Sequence, residues 1–370
     1  MSAGTQQLPR WVDFVLLPVI NLAAAFLVAG LVVLIIGENP LEAVEIMLYG
    51  AWGYSEGIGF TLYYATNFIC TGLAVAVALH CGLFNIGGEG QAYMGGLGVA
   101  LACLLLDGWP WFAVLPVALI AALLFGAAWA AIPGYLTAKR GSHVVITTIM
   151  FNFIATALLG YLLVNVINNP ASMQPETVTF QDASHLPFMH EIFAAMGLKI
   201  GASPLNPVFI IALVACFFVW VLIWRTRLGY EIRTLGYSAQ AAHYAGMPVA
   251  RLTVIAMLIS GALAGLMGLN EVMGVHQRLI LGFTSGYGFV GIAVALMGRG
   301  HPVGVIVAAI LFGMLYQGGA ELSFEKNGIT RDMIVVIQGL VILFTGALEN
   351  MFRPALAQLF SPAAKSADAV

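Results

Sequence analysis

The chain has 370 residues, of which 61% are hydrophobic and only 8% are charged, whereas charged residues make up roughly 25% of soluble domains. A soluble globular protein is excluded, because a chain with a mean hydropathy of +0.96 could not present a solvated surface. The net charge of −3 provides no basic face, so no nucleic-acid partner is expected.

Ten windows without Asp, Glu, Lys, Arg or His follow one another along the chain. Because an apolar helix needs about 20 residues to cross a bilayer, they predict an all-α integral membrane protein with about ten transmembrane helices, forming a single transmembrane domain over residues 1–370. The predicted spans are 14–37, 57–79, 90–106, 110–132, 144–167, 207–224, 252–270, 284–298, 302–318 and 333–348. The first is long for the apolar region of a cleaved signal peptide, so we interpret it as a retained helix.

The segment between the second and third spans, residues 82–91, reads Gly-Leu-Phe-Asn-Ile-Gly-Gly-Glu-Gly-Gln. This composition suggests a broken or re-entrant helix. Transporters place substrate sites at such breaks, since non-helical backbone at membrane depth is tolerated only where protein or a watery cavity meets it. Asn85, Glu89 and Gln91 are therefore candidate substrate-pathway residues. A cytoplasmic turn with solvated polar groups is the alternative.

Two amides inside predicted spans, Asn67 and Asn152, form a second tier of pathway candidates. Polar residues in transmembrane helices mark pathways or form hydrogen bonds between helices, and the sequence leaves both readings open. Further along, Gly261 and Gly265 form a small-xxx-small pattern, which predicts close packing of two helix backbones.

The longest segments between spans are 168–199 and 225–251. The first has three prolines around a short amphipathic stretch, 188–196, and is interpreted as a lid or as a docking surface for an external partner. In the second, Ser238 can cap a helix, Gly246 can adopt the left-handed conformation that ends one, and Pro248 blocks its continuation. A helix of about two turns needs a surface to rest on, either a groove of another protein or this chain's own bundle.

Several motif matches carry no chemistry in this context. The GxGxxG pattern at 286–291 has no βαβ unit around it, and the GxSxG pattern at 53–57 leads directly into a predicted span. No lysine lies in a P-loop pattern, so any ATP must be bound by another chain. No catalytic residue and no metal site are predicted, and the four cysteines are expected to act as small hydrophobes without a disulfide.

The basic residues predict the orientation in the membrane. If both termini are cytoplasmic, ten of the 14 Lys and Arg residues fall on the inside, as the positive-inside rule requires. These ten are Arg10, Lys139, Arg140, Arg225, Arg227, Arg233, Arg251, Arg299, Arg353 and Lys365.

Three segments together resemble the permease subunits of bacterial ABC importers of the branched-chain amino acid, ribose and nucleoside family, in its simple-sugar and nucleoside branch. They are the break at 82–91, the segment 229–247 with Gly-Tyr-Glu-Ile-Arg-Thr-Leu-Gly at its start, and Gly-Phe-Val-Gly-Ile-Ala-Val-Ala-Leu-Met-Gly-Arg at 288–299. The similarity extends from about Leu41 to Phe352.

This resemblance implies a multi-pass protein of the bacterial inner membrane and several partners. They are an ABC ATP-binding subunit, a second permease subunit that is a paralogue or a second copy, an external substrate-binding protein or lipoprotein, and membrane lipid. ATP and Mg would be used by the ATP-binding subunit, with no cofactor bound by this chain. The short helix between spans 6 and 7 would be the cytoplasmic coupling helix that docks on the ATPase. Its coupling residues would be Ser238, Ala241, Ala242, His243, Tyr244, Gly246 and Met247.

The implied function is transport of a nucleoside or simple sugar, energised by the separate ATP-binding subunit and without an enzymatic site of its own. The alternative is a secondary transporter of a small polar solute driven by an ion gradient, for which Glu89 is the obvious buried carboxylate. The sequence does not distinguish which solute is carried, or a homodimer from a heterodimer of permeases.

Overall fold

The computed structural model describes residues 9, 12, 16–326, 328–344, 353–354 and 356. The regular secondary structure in this part of the chain is helical apart from one isolated antiparallel bridge between Glu176 and Ile280, which confirms the all-α prediction. The helices are α1 Leu17–Ile36, α2 Pro40–Trp52, α3 Ser55–His80, α4 Gly88–Leu105, α5 Trp111–Arg140, α6 Val144–Asn165, α7 Met189–Ala195, α8 Val208–Arg225, α9 Arg227–Tyr237, α10 Ala239–Tyr244, α11 Val249–Gly265, α12 Tyr287–Met297, α13 Pro302–Glu325 and α14 Arg331–Ile342. A π-helix, Leu269–His276, continues α11, and a 3₁₀-helix spans Asp182–Ser184.

Among these residues, seven helices are long and apolar enough to cross a membrane. They are Val19–Ile36, Ser55–His80, Trp111–Arg140, Val144–Asn165, Val208–Arg225, Val249–His276 and Pro302–Glu325. Three predicted spans are not among them. Helix α4 has Glu89 and Gln91 in its first turn, α12 has only 11 residues, and the predicted span 333–348 extends past the described residues.

Two helices, α2 and α9, were not predicted, because a search for charge-free windows passes over helices that contain charged residues. Helix α2 carries Glu42 and Glu45, and α9 carries Arg227, Glu231 and Arg233. Helix α5 also runs to Arg140, eight residues beyond the predicted end at 132, and ends at Gly141, whose φ of +68° is left-handed.

The chain divides into two compact units, residues 1–48 with 318–370, and residues 49–317, which we call the core unit. In the smaller unit Lys326 donates a 2.7 Å hydrogen bond to Glu42 and lies 3.6 Å from Glu38. The hydrogen bond to Glu42 raises the pKa of Lys326 above its usual value. This cluster ties the start of α2 to the residue that follows α13.

Helices α3 and α11 are the central elements of the core unit. In the most apolar 18-residue stretch of α3, 83% is buried, and in that of α11 with its π-helical extension 72% is buried. The corresponding share is 22% in both α5 and α6. Helices that are apolar all round are buried in this way, whereas α5 and α6 leave large apolar side chains exposed, as helices that face lipid do.

The small-xxx-small pattern of α11 lies at a close helix crossing, as predicted. A Cβ on Gly261 would overlap the backbone of Gly126, and one on Gly265 would overlap the carbonyl oxygen of Ala122, both in α5. On α4, a Cβ on Gly95 would overlap the backbone of Gly265. Helices α4, α5 and α11 therefore meet backbone to backbone.

The segment 166–207 is held to its own chain. Thr177 N donates to Leu279 O at 3.0 Å, Phe180 N donates to Gln277 O at 2.9 Å, and Arg278 pairs with Glu176 at 3.4 Å. Its predicted amphipathic stretch contains α7. These contacts are the ones a lid would make.

Candidate functional site

The predicted break in residues 82–91 is present in the structure. Helix α3 ends at His80, α4 begins at Gly88, and Leu83 to Ile86 have no regular structure. Its polar side chains are not solvated, since Asn85 and Gln91 are each 1% exposed and Glu89 is 7% exposed. A turn with solvated polar groups is therefore not what the chain forms there.

Three of the predicted pathway residues belong to a group of polar side chains that bond to one another or to the backbone of the break. We call this group the amide cluster: Asn85, Gln91, Thr148, Asn152 and Ser260. Asn85 Nδ2 donates to Gln91 Oε1 at 3.0 Å and to Ser260 Oγ at 2.8 Å, while Gln91 Nε2 donates back to Asn85 Oδ1 at 3.2 Å. Ser260 Oγ donates to the carbonyl of Ala74 in α3 at 2.6 Å. The cluster thus joins the break to α3 and α11.

Asn152 holds the other side of the break. Its Nδ2 donates to Ile86 O and its Oδ1 accepts from Gly90 N, both at 2.9 Å. One side chain thus satisfies the carbonyl and the N–H that would bond to each other in a continuous helix. A Cβ on Gly90 would lie 2.9 Å from the Cα of Asn152, so glycine is what permits this approach. The role seen for Asn152 is a hydrogen bond between helices.

Replacing Asn152 with leucine is expected to destabilise the protein, because the buried amide of Gly90 and carbonyl of Ile86 would lose their partner. Each buried group left unpaired costs about 1–3 kcal/mol. The measurement is the thermal denaturation of the detergent-purified chain, with Asn165→Leu as a control in the same helix, since Asn165 is exposed. Equal stability of the two variants would contradict this role for Asn152.

Glu89 faces a different element, the N-terminus of α12. Its Oε1 accepts from the hydroxyl of Thr284 and from Gly286 N at 3.0 Å, and its Oε2 accepts from Gly288 N at 2.8 Å. A carboxylate is stabilised at a helix N-terminus by the unpaired N–H groups and the helix dipole. A Cβ on Gly288 would overlap the backbone of Glu89, so the starts of α4 and α12 touch. All the hydrogen bonds of this carboxylate described above go to the protein itself.

A second buried carboxylate, Glu271, was missed by the sequence analysis. It lies in the π-helix, is 1% exposed, and its Oε1 accepts from Tyr63 Oη at 2.6 Å and from Asn67 Nδ2. Its Oε2 lies 3.4 Å from His276 Nε2. Because Glu271 is charged, the predicted span ends at residue 270 and Glu271 falls in a predicted outer loop. The apolar residues that continue after it were the available signal. π-Helical turns inside α-helices occur frequently at functional sites.

Asn67, the remaining predicted pathway residue, belongs to this second group. Its Oδ1 accepts from Asn270 Nδ2 at 2.8 Å, and Asn270 Oδ1 accepts from Asn206 Nδ2 at 2.8 Å. Asn67 thus bonds between helices, and the five pathway candidates lie at three places rather than one. No group of three or more His, Cys, Asp or Glu within the described residues is arranged to hold a metal ion.

An aromatic cluster lies beside both carboxylates and consists of Tyr64, Phe68, Tyr287 and Tyr316, from α3, α12 and α13. The ring centroids of Tyr64 and Tyr316 are 5.5 Å apart, those of Phe68 and Tyr316 5.0 Å, and those of Tyr287 and Tyr316 5.8 Å. Phe68 and Tyr287 are buried, whereas Tyr64 and Tyr316 are half-buried. Tyr287 lies between the two glycine amides that Glu89 binds, and the Tyr63 ring is 4.9 Å from that of Tyr64.

The short helix predicted in the inner loop is α10. Ser238 Oγ accepts from Ala241 N at 3.2 Å, Gly246 has a φ of +75°, and Met247 N donates to Ala242 O at 3.0 Å, so both ends are framed as predicted. Ser238, Ala241, His243, Tyr244 and Gly246 are exposed, Tyr244 by 91%, and Met247 is half-buried. Ala242 differs from these, because its side chain is fully buried by its own chain.

Helix α9, directly before α10, contacts the end of α3 through backbone. A Cβ on Gly236 would overlap the carbonyl oxygen of His80 and lie 3.0 Å from the amide nitrogen of Gly82. His80 is the last residue of α3 and Gly82 opens the break. Two residues before the N-cap of α10, the chain therefore lies directly against the turn that leads to the amide cluster.

Comparison with known proteins places the chain in a family. Residues 57–346 match the family model described as the branched-chain amino acid transport system permease component. The chain is 35% identical to the guanosine ABC transporter permease protein NupP of Bacillus subtilis, over 90% of this chain and 93% of the relative. It is 33% identical to the glucose ABC transporter permease protein TsgB13 of Haloferax volcanii, over 91% of this chain and 88% of the relative.

A third relative, the nucleoside ABC transporter permease protein NupB of Lactococcus lactis, is 33% identical over 89% of this chain and 90% of its own length. The matches cover most of both chains in each pair, and the matching family model covers more than half of this one. The apolar helices agree with a multi-pass membrane protein. The chain belongs to the family of branched-chain amino acid, ribose and nucleoside ABC transporter permeases, which are transport components and not enzymes.

Proposed function

We propose that this chain is the membrane-spanning permease of an ATP-driven importer of a nucleoside or simple sugar in a bacterial inner membrane. Its partners would be an ATP-binding subunit, which uses ATP and Mg, a second permease subunit and an external substrate-binding protein. Both termini and α10 would be cytoplasmic, with about ten spans between the ends. The substrate classes come from the names of relatives, which include guanosine, nucleoside and glucose permeases.

The observation that carries the proposal is the exposed face of α10. Six residues in a capped helix are too few to be stable alone, and this helix is held to its own chain through the buried Ala242. On the opposite side of the helix, Tyr244 and His243 are exposed on the protein surface. A small rigid helix with an exposed aromatic residue suits insertion into a groove of another protein, where tyrosine is enriched at interface centres.

The transport step would be a change of shape rather than covalent chemistry. Closing of the ATP-binding subunits would displace α10, and the backbone contact of Gly236 with His80 would pass the displacement to the break. The spans would then move between outward-open and inward-open arrangements. Neither Glu89 nor the amide cluster needs to bind the solute in this scheme, since their hydrogen bonds hold the helices in register.

Substitution of Tyr244 by aspartate tests the docking role. Loss of a central interface tyrosine costs about 2 kcal/mol or more, so we expect roughly thirtyfold weaker binding of a co-expressed ATP-binding subunit, and loss of uptake. The measurement is the amount of ATP-binding subunit that co-purifies with the tagged chain. Met173→Asp is the control, because Met173 is a fully exposed residue in the segment 166–207. Unchanged co-purification and uptake in the Tyr244 variant would refute docking at α10.

The second candidate is a transporter driven by an ion gradient, favoured by the two buried carboxylates, Glu89 and Glu271. The energy source separates the candidates. Uptake by cells depleted of ATP but holding a proton gradient should stop if the chain works with an ATPase. Sustained uptake under that condition would favour the gradient-driven transporter and end the importer proposal.

A further inference from the structure

The aromatic cluster lies at one depth, well inside the helices that carry it. Tyr64 precedes His80 by 16 residues in α3, and Tyr316 follows Pro302 by 14 residues in α13. At 1.5 Å per residue these distances along the helices are roughly 24 Å and 21 Å. The end of α3 and the start of α13 lie at the same depth, since His80 Nε2 lies 3.1 Å from Gly300 O. Tyr64 and Tyr316 therefore lie at similar distances from the end of α3 and the start of α13, and their rings are adjacent.

Half-buried tyrosines this far along a membrane helix are found in only a few kinds of environment. A phenol hydroxyl loses free energy in hydrocarbon, so polar side chains inside a membrane face the bundle interior or a watery cavity. Phe68 and Tyr287 complete the cluster from the buried side, and their rings both meet that of Tyr316 edge to face. By this rule the exposed parts of Tyr64 and Tyr316 face the bundle interior or a watery cavity.

We propose that the aromatic cluster is a stacking wall of the transport pathway that takes the planar base of a nucleoside. This inference rests on the proposed function and narrows its substrate class. The base would lie against the half-buried rings of Tyr64 and Tyr316, with the buried ring of Tyr287 behind them. Aromatic side chains bind bases by stacking on their π-faces, and this interaction tolerates any base.

The surrounding polar groups favour a base over a free sugar. A sugar needs several hydrogen-bond partners for its hydroxyls, and carboxylates and amides are the groups that orient such ligands. Beside this cluster those groups are engaged with the protein: Glu89 with the start of α12, and Glu271 with Tyr63 and Asn67. What the wall offers to a solute is mainly ring surface, which suits a flat heteroaromatic group.

The same hydrogen bonds fix the wall in position. Glu89 binds the amides on both sides of Tyr287, so the backbone that carries this ring is held at the start of α12. On the other side Glu271 holds the hydroxyl of Tyr63, whose ring packs on Tyr64. A wall that is rigid and contributes few hydrogen bonds binds weakly, which suits a pathway that the solute must also leave.

The test compares removal of a ring with removal of a hydroxyl, in the full chain expressed with its partner subunits. Tyr64→Leu and Tyr316→Leu are each expected to lower the rate of adenosine uptake about tenfold, the effect of losing one base-stacking ring. Tyr64→Phe and Tyr316→Phe keep the ring and should stay within about twofold of the unmodified chain. Tyr161→Leu, which removes an exposed tyrosine on α6 outside the cluster, is the control.

A binding measurement separates this inference from the proposed function. Photolabelling of the purified chain with 8-azidoadenosine should mark peptides from α3, α12 or α13, and the label should be lost in Tyr316→Leu and kept in Tyr316→Phe. Labelling elsewhere, no labelling, or labelling that is indifferent to the loss of the ring would overturn the stacking wall. If uptake proves independent of ATP while the labelling follows the rings, the importer proposal fails and the stacking wall stands.

Discussion

Replacing Gly265 with valine is expected to remove the folded protein from the membrane fraction. A Cβ at this position would overlap the carbonyl oxygen of Ala122 and lie 3.2 Å from its carbonyl carbon, so α5 and α11 would have to separate. The backbone of Gly265 is also in contact with Gly95 of α4, so α4 limits how far α11 can move away from α5. Overpacking typically costs about 1–3 kcal/mol, and a clash with the backbone of α5 belongs at or above the upper end, since α4 lies against Gly265 from another side.

The measurement is size-exclusion chromatography of the tagged chain from detergent-solubilised membranes. Gly160→Val in α6 is the matched control, because the nearest atom to a Cβ there is Leu281 Cδ1 at 4.0 Å. The control should elute as the unmodified chain does, while Gly265→Val should elute as aggregate or be absent. A monodisperse Gly265→Val protein of ordinary yield would contradict the three-helix crossing.

Local patterns in the sequence were sufficient to predict several parts of the site. Ser238, Gly246 and Pro248 predict α10 because capping, the left-handed conformation and the missing amide of proline each act on the residues beside them. The break in residues 82–91 follows from its glycines in the same way. The close crossing at Gly261 and Gly265 is also a local pattern, although the identity of the partner helix is not.

What the sequence could not predict depends on which distant residues meet. Asn85 and Gln91 bond to each other, Asn152 bonds to the backbone of the break, and Glu89 caps a helix that starts about 200 residues later. Their polarity alone could not distinguish a pathway from a structural role. Glu271 is the converse case. Its charge ended a predicted span, yet the π-helix carries it into the interior, where Tyr63 and Asn67 are its partners.

The burial of Ala242 changes how docking is best tested. A charged residue there would first disturb the packing of α10 on its own chain, so loss of uptake would not separate docking from folding. The exposed Tyr244 avoids this difficulty. Docking alone does not explain how a displacement of α10 reaches the spans. The backbone contact of Gly236 with His80 is the place to test this step.

Replacing Gly236 with valine is expected to uncouple ATP hydrolysis from uptake. The side chain would force α9 away from His80 and Gly82, so the backbone contact between the α9–α10 segment and the break would be lost. The exposed face of α10, including Tyr244, would be unchanged. The ATP-binding subunit should therefore still co-purify and hydrolyse ATP, while the rate of uptake falls by at least about tenfold, equivalent to roughly 1.4 kcal/mol of lost coupling.

The two readouts, ATP hydrolysis and uptake, are measured in proteoliposomes that hold the whole complex. Gly339→Val is the matched control, because a Cβ at Gly339 meets no other atom within 4 Å. Gly236→Ala should show a smaller defect of the same kind, since a methyl group displaces the backbone less than an isopropyl group does. If uptake and hydrolysis fall together, Gly236 serves docking or folding. If neither falls, the contact with His80 transmits nothing, and the displacement of α10 must reach the spans through the packing of α10 on α11.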